Sequence, residues 1–368
     1  MRVERSTKAT DTPEEVGPQR EGRSVDRQSA SRPSRRPSGR RRRLLGWSAS
    51  LLVLIVILLF GGSLIGDRTR EHESRPLNLI VQNSYWAEPL PENAPVDPNS
   101  DEMIEFVRLN STTNYVRLAG TGSDGLWGNP IYWAQDGDDV YRVRNSCSFH
   151  QPPEFQSVRI PAGASPDPTS DASMTVYDLD KKLVYGFWRT EYDYSNDVWT
   201  ACGGTVNYLD SNGLTGSLEQ SDEPRNSGHR GLPPFTYAVR FDEIRAGAID
   251  HVLRVAISPA GVDHVFPMTG SDGDSLDPFA PPEGARLRLK PDIDLSEMDL
   301  SEPQLVIATA LQDYGAVIGD QSGGPTSLKV ENTVAQGEGQ LWTGLLSEDS
   351  LASFSLDDFE FVTLGYGR

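Results

Sequence analysis

Residues 174–188, MTVYDLDKKLVYGFW, contain two runs rich in β-branched and aromatic residues on either side of a polar connection. Met174–Tyr177 and Leu183–Trp188 therefore predict the two strands of a β-hairpin, joined by the residues Asp178–Lys182. From Tyr115 onward, similar short runs are separated by Gly, Pro, Asn and Asp. This pattern favours a mainly β fold, an antiparallel β-sandwich or jelly-roll-like domain with a few short helices.

The other predicted strands follow the same pattern across the rest of the chain. They are Tyr115–Leu118, Pro130–Trp133, Val140–Val143, Ser157–Ile160, Val198–Ala201, Gly204–Leu209, His251–Ile257, Arg286–Leu289, Ala316–Ile318, Ser327–Val330 and Phe359–Leu364. Short helices are predicted at Asp101–Val107, Phe241–Ala246 and Ser301–Tyr314. The third is the clearest of these, because Ser301 can cap it and Gly315 ends it.

An uncharged stretch of 23 residues, Leu44–Gly66, follows the basic run Arg40–Arg43. A helix of about 20 apolar residues is long enough to cross a bilayer, so this stretch predicts a single-pass transmembrane helix, with membrane lipid as its partner. The flanking arginines place the N-terminus in the cytoplasm and the C-terminal domain outside it. Two alternatives are a cleaved signal peptide, although no A-x-A-like site follows Phe60, and a twin-arginine export signal at 41–45.

Charge is distributed unevenly along the chain. The 368 residues include 34 basic and 53 acidic ones, a net charge of -19, yet residues 1–43 carry +7. Residues 1–43 are predicted to be a disordered basic cytoplasmic tail, residues 67–100 a spacer and lead-in segment, and residues 101–368 one extracytoplasmic β-rich domain. Because residues 44–368 carry a net charge of -26, we expect no binding of nucleic acid.

Cys147 and Cys202 are the only cysteines in the sequence. Both lie in the region predicted to be outside the cytoplasm, where an oxidising environment favours a disulfide between them. Two cysteines do not make a four-ligand zinc site, and the five histidines show no metal-ligand spacing beside them. The sequence therefore predicts a disulfide, no metal and no cofactor.

The sequence lacks the motifs of the common zinc hydrolases, serine hydrolases, nucleotide-binding proteins and thiol oxidoreductases. The candidates for catalysis are therefore a histidine and nearby carboxylates. His251 stands at the start of an apolar strand and could act as a general base with Glu243 or Asp320 as its partner. The alternative is a core histidine whose hydrogen bonds are satisfied by the backbone.

Aromatic residues crowd the first half of the domain, many of them beside acids and amides. Sugar rings present an apolar face and a rim of hydroxyls, so Trp and Tyr next to polar groups suit glycan binding. The predicted ligand-binding residues are Trp133, Tyr185, Trp188, Arg189 and Tyr314. The alternative is that these aromatics form the core of a sandwich, a reading that fits Trp188 and Trp199 at least as well.

Several blocks of the chain resemble a group of secreted or surface bacterial proteins that have no established activity. The blocks are Ile160–Asp171, Met174–Trp188, Phe241–Leu253, Pro282–Leu289 (PEGARLRL) and Ala310–Gly315 (ALQDYG) with Asp320. The resemblance spans most of 85–330 and implies a shared β-rich fold similar to lectin or polysaccharide-lyase sandwiches. Related sequences carry a histidine before the S-D-G turn, where this chain has Gly270, and Asn226–His229 stands in a longer polar loop.

These observations lead to three functional expectations. The first is an anchored extracytoplasmic domain that binds cell-envelope or environmental polysaccharide. The second is a glycan-cleaving hydrolase or lyase that uses His251 with Glu243 or Asp320. The third is an envelope module that binds a protein and no sugar. The sequence leaves the choice between an enzyme and a binding module open.

Overall fold

The computed structural model describes residue 80 and residues 84–368. The predicted cytoplasmic tail, the predicted membrane helix at 44–66 and most of the spacer lie outside these residues. In the described part of the chain, no helix is long and apolar enough to cross a membrane. The expected fold, a membrane helix followed by an antiparallel sandwich, is wrong: the described chain is mainly β with few helices, but its sheets are mixed.

The α-helices of the described residues are α1 (Ser100–Asn110), α2 (Phe241–Ala246) and α3 (Glu302–Asp313). The strands are β1 (Arg117–Ala119), β2 (Ile131–Ala134), β3 (Val140–Tyr141), β4 (Arg144–Asn145), β5 (Val158–Arg159), β6 (Met174–Asp178), β7 (Leu183–Asp193), β8 (Val198–Tyr208), β9 (Leu253–Ile257), β10 (Gly261–His264), β11 (Pro282–Glu283), β12 (Arg286–Leu289), β13 (Ala316–Gln321), β14 (Ser327–Lys329) and β15 (Phe359–Phe361). Short 3-10 helices lie at Tyr85–Ala87, Pro153–Gln156, Pro234–Thr236, Leu295–Glu297 and Leu356–Asp358. Each strand predicted from the sequence overlaps one of these strands.

The larger sheet has six strands in the order β1-β14-β9-β13-β12-β15. β1 is parallel to β14 and β9 is parallel to β13, whereas the remaining pairs are antiparallel. Parallel strands need a long crossover connection, and the segment between β9 and β13 includes α3. One hydrophobic cluster joins Val255 and Leu287 of this sheet to Met103 of α1 and to Ile307 and Leu311 of α3.

The second sheet has five strands in the order β2-β6-β7-β8-β4. Its outer pairs, β2 with β6 and β8 with β4, are parallel, and its inner pairs are antiparallel. The predicted hairpin is present, since β6 and β7 pair from Met174 with Phe187 to Asp178 with Leu183. This meander of β6, β7 and β8 is antiparallel throughout, as expected from the sequence, because tight turns join its strands.

A further hydrophobic cluster joins the two sheets. It brings Tyr177 and Val184 of the five-stranded sheet together with Val317 of β13 and with the buried Trp86. Trp86 donates its indole N–H to the carbonyl of Gly213 at 3.0 Å, so its polar atom is satisfied inside the core. The two sheets thus share one packed interface.

The predicted disulfide is confirmed: Cys147, in the loop after β4, is bonded to Cys202 of β8. Cys202 is buried and Cys147 is exposed. The bond therefore ties a surface loop to an inner strand of the five-stranded sheet.

In the PEGARLRL block, leucine and arginine alternate along β12, and this alternation explains its structural role. Leu287 and Leu289 face the core, while the buried Arg286 and Arg288 lie on the other side of β12. Arg286 donates to the carbonyl of Tyr314 at 2.6 Å, and Arg288 donates to the carbonyl of Pro91 at 3.1 Å. By donating to the carbonyls of Glu88 and Pro91, Arg286 and Arg288 hold the segment before α1 against the sheet.

Candidate functional site

The structure brings two of the three predicted catalytic residues together. His251 Nε2 lies 2.9 Å from Glu243 Oε1, and both side chains are buried. The carboxylate of Glu243 also accepts from Arg240, through Nη1 at 3.0 Å and through the backbone N–H at 3.0 Å. Burial raises the pKa of Glu243, but Arg240 and His251 outweigh it and hold that pKa below its usual value.

The second ring nitrogen of His251 also faces an acceptor. Nδ1 lies 2.9 Å from the carbonyl oxygen of the neighbouring Val252. Carboxylate and carbonyl oxygens only accept, so both ring nitrogens of His251 are turned towards acceptors inside the protein. Neither nitrogen is open to a substrate, and the geometry is that of the core histidine that the sequence also allowed.

Asp320 lies elsewhere, on β13, where it pairs in register with Ala256. Its carboxylate forms an ion pair with Arg254 and a second with Arg230, whose Nη2 lies 3.2 Å from Oδ1. Burial raises the pKa of Asp320, but Arg254 leads a group of cations that outweighs this effect and lowers the pKa. Within the described residues, Asp320 makes no hydrogen bond to His251 or Glu243.

Asp320 is part of a cleft of about 1020 Å³ that both sheets line. The six-stranded sheet contributes Arg254, Asp320 and Lys329, and the five-stranded sheet contributes Trp188 and Gly203. Further lining comes from loops at 126–127, 149–150, 228–230 and 322–325. The cleft is large enough for a ligand of several rings, since binding pockets of about 300 to 1000 Å³ bury drug-sized molecules.

Aromatic side chains border this cleft from separate elements. Trp127 is 44% exposed and Phe149 is 59% exposed, and both line the cleft with Trp188. The rings of Phe149 and Trp188 meet edge to face at 6.3 Å, and the guanidinium of Arg189 lies 4.5 Å from the centre of the Trp188 ring. Two exposed aromatic side chains, Trp127 and Phe149, and the half-buried Trp188 therefore border the cleft.

Glycines shape the floor beneath these aromatics. A Cβ atom at Gly186 would lie 2.8 Å from both Thr205 Oγ1 and Tyr237 Cε2, and a Cβ atom at Gly203 would lie 3.4 Å from the ring of Trp188. The side-chain-free backbone leaves space for Tyr237 and Trp188 to line the cleft.

The other predicted ligand-binding residues lie outside the cleft. Tyr185 is buried, with its ring 6.1 Å from that of Phe187, and Trp133 stacks on the buried Tyr177 at 4.5 Å. Tyr314, just after α3, is partly buried and packs against the cluster that joins the sheets. Of the five predicted residues, Trp188 lines the cleft and Arg189 packs on its ring.

The charged groups of the cleft balance one another. Its cations are Arg117, Arg230, Arg254 and Lys329, and its carboxylates are Asp171, Asp272, Asp320 and Glu348. Residues 44–368 as a whole carry a net charge of -26. The cleft is thus much less acidic than the protein around it, and a ligand bearing a negative charge meets cations there.

His229 is a cleft residue that was not among the sequence candidates. Its ring makes no hydrogen bond to any described residue, although the side chain lies among charged groups. Burial and the neighbouring Arg230 lower its pKa to about 4, against an opposing effect of Asp320. The imidazole is therefore neutral near pH 7 and carries a free lone pair. The only sequence signal was its position in the polar Asn226–His229 loop.

Glu283 lies beneath the cleft and interacts with its charged groups. Its carboxylate accepts from Arg230 Nε at 3.0 Å and from the backbone N–H of Asp272 at 3.2 Å. Burial, with the nearby Asp272 side chain, raises the pKa of Glu283 to about 7 despite the ion pair with Arg230. A carboxyl group with a strongly raised pKa next to a cleft is typical of a functional region.

A second cavity of about 780 Å³ is lined mainly by polar residues between 139 and 156 and by Asp197 and Val198. Among the described residues, no cluster of three His, Cys, Asp or Glu side chains is arranged to hold a metal ion.

No protein family model matches the chain, and comparisons with curated proteins and with solved structures return no match. The resemblance to a group of secreted or surface bacterial proteins therefore stays a prediction from the sequence blocks.

Proposed function

We propose that this protein binds a glycan in the cleft between its two sheets. The observation that carries the proposal is the set of aromatic side chains around a space of about 1020 Å³, of which Trp127 and Phe149 are exposed and Trp188 is half-buried. Aromatic faces stack on the apolar faces of sugar rings, and the charged and polar groups between them match the hydroxyl rim.

The polar groups of the cleft support this proposal. Arg230, Arg254 and Asp320 form a fixed cluster, so their orientation is set before a ligand arrives. Pre-ordered donors and acceptors reduce the entropy lost on binding. Thr205 and Tyr237, whose hydroxyls lie 3.2 Å apart, add hydroxyl groups of the kind that sugars bind.

The disulfide supports an extracytoplasmic site of action. Cys147 and Cys202 are bonded, and such bonds persist mainly in oxidising compartments. Polysaccharides of the cell envelope and the environment are found there, which agrees with a glycan ligand.

The test is saccharide binding by Trp188→Ala. The full chain is titrated with a panel of neutral and acidic polysaccharides and oligosaccharides, and binding is followed by calorimetry and by intrinsic tryptophan fluorescence. We expect Trp188→Ala to raise the dissociation constant about tenfold or more. A stacked aromatic ring contributes roughly 1 kcal/mol in addition to the free energy gained from the area that it buries. Trp188→Phe should retain most of the affinity.

Tyr194→Ala is the matched control, since Tyr194 is an aromatic residue that is 84% exposed outside the cleft. Its affinity should equal that of the unmodified chain. Equal affinities for Trp188→Ala and the unmodified chain would contradict the proposed site. The absence of binding to every saccharide in the panel would contradict the proposed function and favour a protein partner.

A further inference from the structure

The disulfide between Cys147 and Cys202 lies beside the cleft. Cys147 stands two positions before Phe149, which lines the cleft, and Cys202 directly precedes Gly203, which lines it from β8. Gly203 is paired in register with Trp188 of β7. The covalent bond therefore joins the loop that carries Phe149 to the strand that pairs with Trp188.

This loop, residues 146–150, is named the Phe149 loop, and it buries none of its side chains. Every residue from 144 to 150 is exposed, including Phe149 itself. The strand before the loop, β4, is two residues long and lies at the edge of the five-stranded sheet. Segments with few buried apolar contacts open at a low cost in free energy. A loop of this kind depends on its bonds to neighbouring strands for a fixed position.

Hydrogen bonds fix the two ends of the Phe149 loop. The N–H of Ser146 and the side-chain amide of Gln151 both donate to the carbonyl oxygen of Ala201, each at 3.0 Å. Between these ends, the hydrogen bonds that the described part of the chain provides for 147–150 are with the side chain of Asn145, in the strand before the loop. The disulfide is thus the bond that joins the middle of the loop to β8.

The two sulfur atoms differ in their access to solvent. Cys147 is exposed, whereas Cys202 is 1% exposed. A thiolate attacks a disulfide sulfur from the side opposite to the sulfur that leaves, and the rate depends on access to that side. For Cys147 this side faces away from the buried Cys202. An external thiol therefore reaches the bond at Cys147.

We propose that Cys147 is a thiol-exchange site, at which a dithiol reductant opens the disulfide, releases the Phe149 loop from the cleft and lowers the affinity for a glycan. The effect on affinity rests on the proposed function, whereas the release of the loop does not. The oxidised chain is the form that binds, and oxidising compartments maintain it.

The exchange is balanced in two steps. A thiolate of the reductant forms a bond to the sulfur of Cys147 while the bond to Cys202 breaks, and Cys202 leaves as a thiolate that takes up a proton. The second thiol of the reductant then attacks the reductant's sulfur in this mixed disulfide and releases Cys147. The protein gains two electrons and two protons, and the dithiol is oxidised to a disulfide.

The fold around the loop does not depend on this bond. β7 and β8 pair from end to end, and a buried thiol behaves as a small apolar side chain, so Cys202 stays in the core. In the reduced chain the Phe149 ring keeps only its edge-to-face contact with Trp188, at 6.3 Å, to hold it at the cleft. One aromatic pair does not offset the conformational entropy of a loop whose side chains are all exposed.

The first measurement needs no saccharide. The full chain is treated without denaturant with glutathione, a monothiol that traps the mixed disulfide, and separately with dithiothreitol, a dithiol. Peptide mass spectrometry locates the glutathione and the order of alkylation, and hydrogen exchange reports on 144–151.

We expect glutathione on Cys147 and not on Cys202, and alkylation of Cys147 before Cys202 after dithiothreitol. Exchange should become faster in the Phe149 loop and stay unchanged in β7. Glutathione on Cys202, reduction that requires denaturant, or unchanged exchange in the loop would overturn the inference.

The second measurement is glycan affinity with and without dithiothreitol, using the saccharide of the panel that binds most tightly. In the unmodified chain, reductant should raise the dissociation constant about fivefold or more, because the Phe149 ring leaves the cleft. The double variant Cys147→Ser/Cys202→Ser should show the raised value under both conditions. Phe149→Ala should also show it, and reductant should then change it less than about twofold, since the ring is already absent.

Tyr194→Ala is the matched control, because Tyr194 lies outside the cleft and its variant should respond to reductant as the unmodified chain does. Circular dichroism checks that the reduced chain is folded. Three results would overturn the inference and leave glycan binding intact: equal affinities of the oxidised and reduced chains, a full effect of reductant in Phe149→Ala, or unfolding of the whole chain by dithiothreitol. If no saccharide binds the oxidised chain, the proposed function fails and the effect on affinity fails with it, whereas the exchange measurement still decides whether a thiol releases the loop.

Discussion

Replacing His251 tests whether the buried histidine stabilises the fold or takes part in chemistry. In His251→Ala, two hydrogen bonds are lost, one to the carboxylate of Glu243 and one to the carbonyl of Val252, each of 2.9 Å. A hydrogen bond to a charged group contributes about 1.5 to 3 kcal/mol and a neutral one about 0.5 to 1.5 kcal/mol, so we expect a loss of about 3 kcal/mol in the free energy of unfolding. The midpoint of thermal unfolding should fall by about 6 to 10 °C.

The assay is urea unfolding of the full chain, followed by tryptophan fluorescence, together with binding at the cleft. His264→Ala is the control, because His264 is exposed on β10, and its free energy of unfolding should stay within about 0.5 kcal/mol of the unmodified value. Saccharide affinity at 20 °C below the unfolding midpoint should be unchanged in both variants. A His251→Ala protein of full stability that has lost binding or cleavage would refute this reasoning and restore His251 as a functional residue.

Two further predictions concern stability. Replacing Cys147 and Cys202 by Ser opens a loop with a sequence separation of 55, and the chain-entropy relation predicts a loss of about 4 kcal/mol, measured by urea unfolding with and without reductant. If reductant destabilises the serine variant as well, this explanation is wrong. The pKa of Glu283 is raised from 4.5 to about 7, so its contribution to stability is full below pH 4.5 and is lost as the pH rises through 7. The pKa of His229 is lowered from 6.5 to about 4, so its contribution is full above pH 6.5 and is lost as the pH falls through 4. Between pH 4.5 and 6.5 the two effects oppose each other. On acidification in that range, Glu283→Gln should therefore lose stability and His229→Gln should gain it, as measured by urea unfolding at several pH values. If the free energy of unfolding changes with pH in the same direction in both variants, the two pKa shifts do not have these effects on stability.

The strands could be predicted because their signal is local. The alternation of apolar and polar residues and the turn residues between runs are properties of neighbouring positions, as in the Met174–Trp188 hairpin. The pairing partners of distant strands have no such signal. β9 and β13 are parallel neighbours although β10, β11, β12 and α3 lie between them in the chain. The residues of either strand do not indicate this pairing.

The positions of the aromatics follow from strand geometry more closely than from composition. Side chains alternate between the faces of a strand, so Tyr185 and Phe187 share one face of β7, while Gly186 and Trp188 share the other. The structure places the ring of Tyr185 beside that of Phe187 in the core and places Gly186 and Trp188 along the cleft. Tyr185 and Trp188 were grouped in the prediction by residue type. They are three positions apart in one strand, so their side chains lie on opposite faces of the sheet.

His251 and His229 show what the sequence could not predict, namely which histidine has an open ring nitrogen. His251 drew attention because it precedes an apolar strand beside acids, and that setting buries it and pairs both ring nitrogens with acceptors. His229 stands in a polar loop without any motif, and the fold carries that loop to the cleft beside Arg254 and Asp320 from other strands. The availability of a lone pair depends on which acceptors surround the ring in three dimensions. Which histidine presents an open ring nitrogen is therefore a property of the assembled fold, which neighbouring positions in the sequence do not determine.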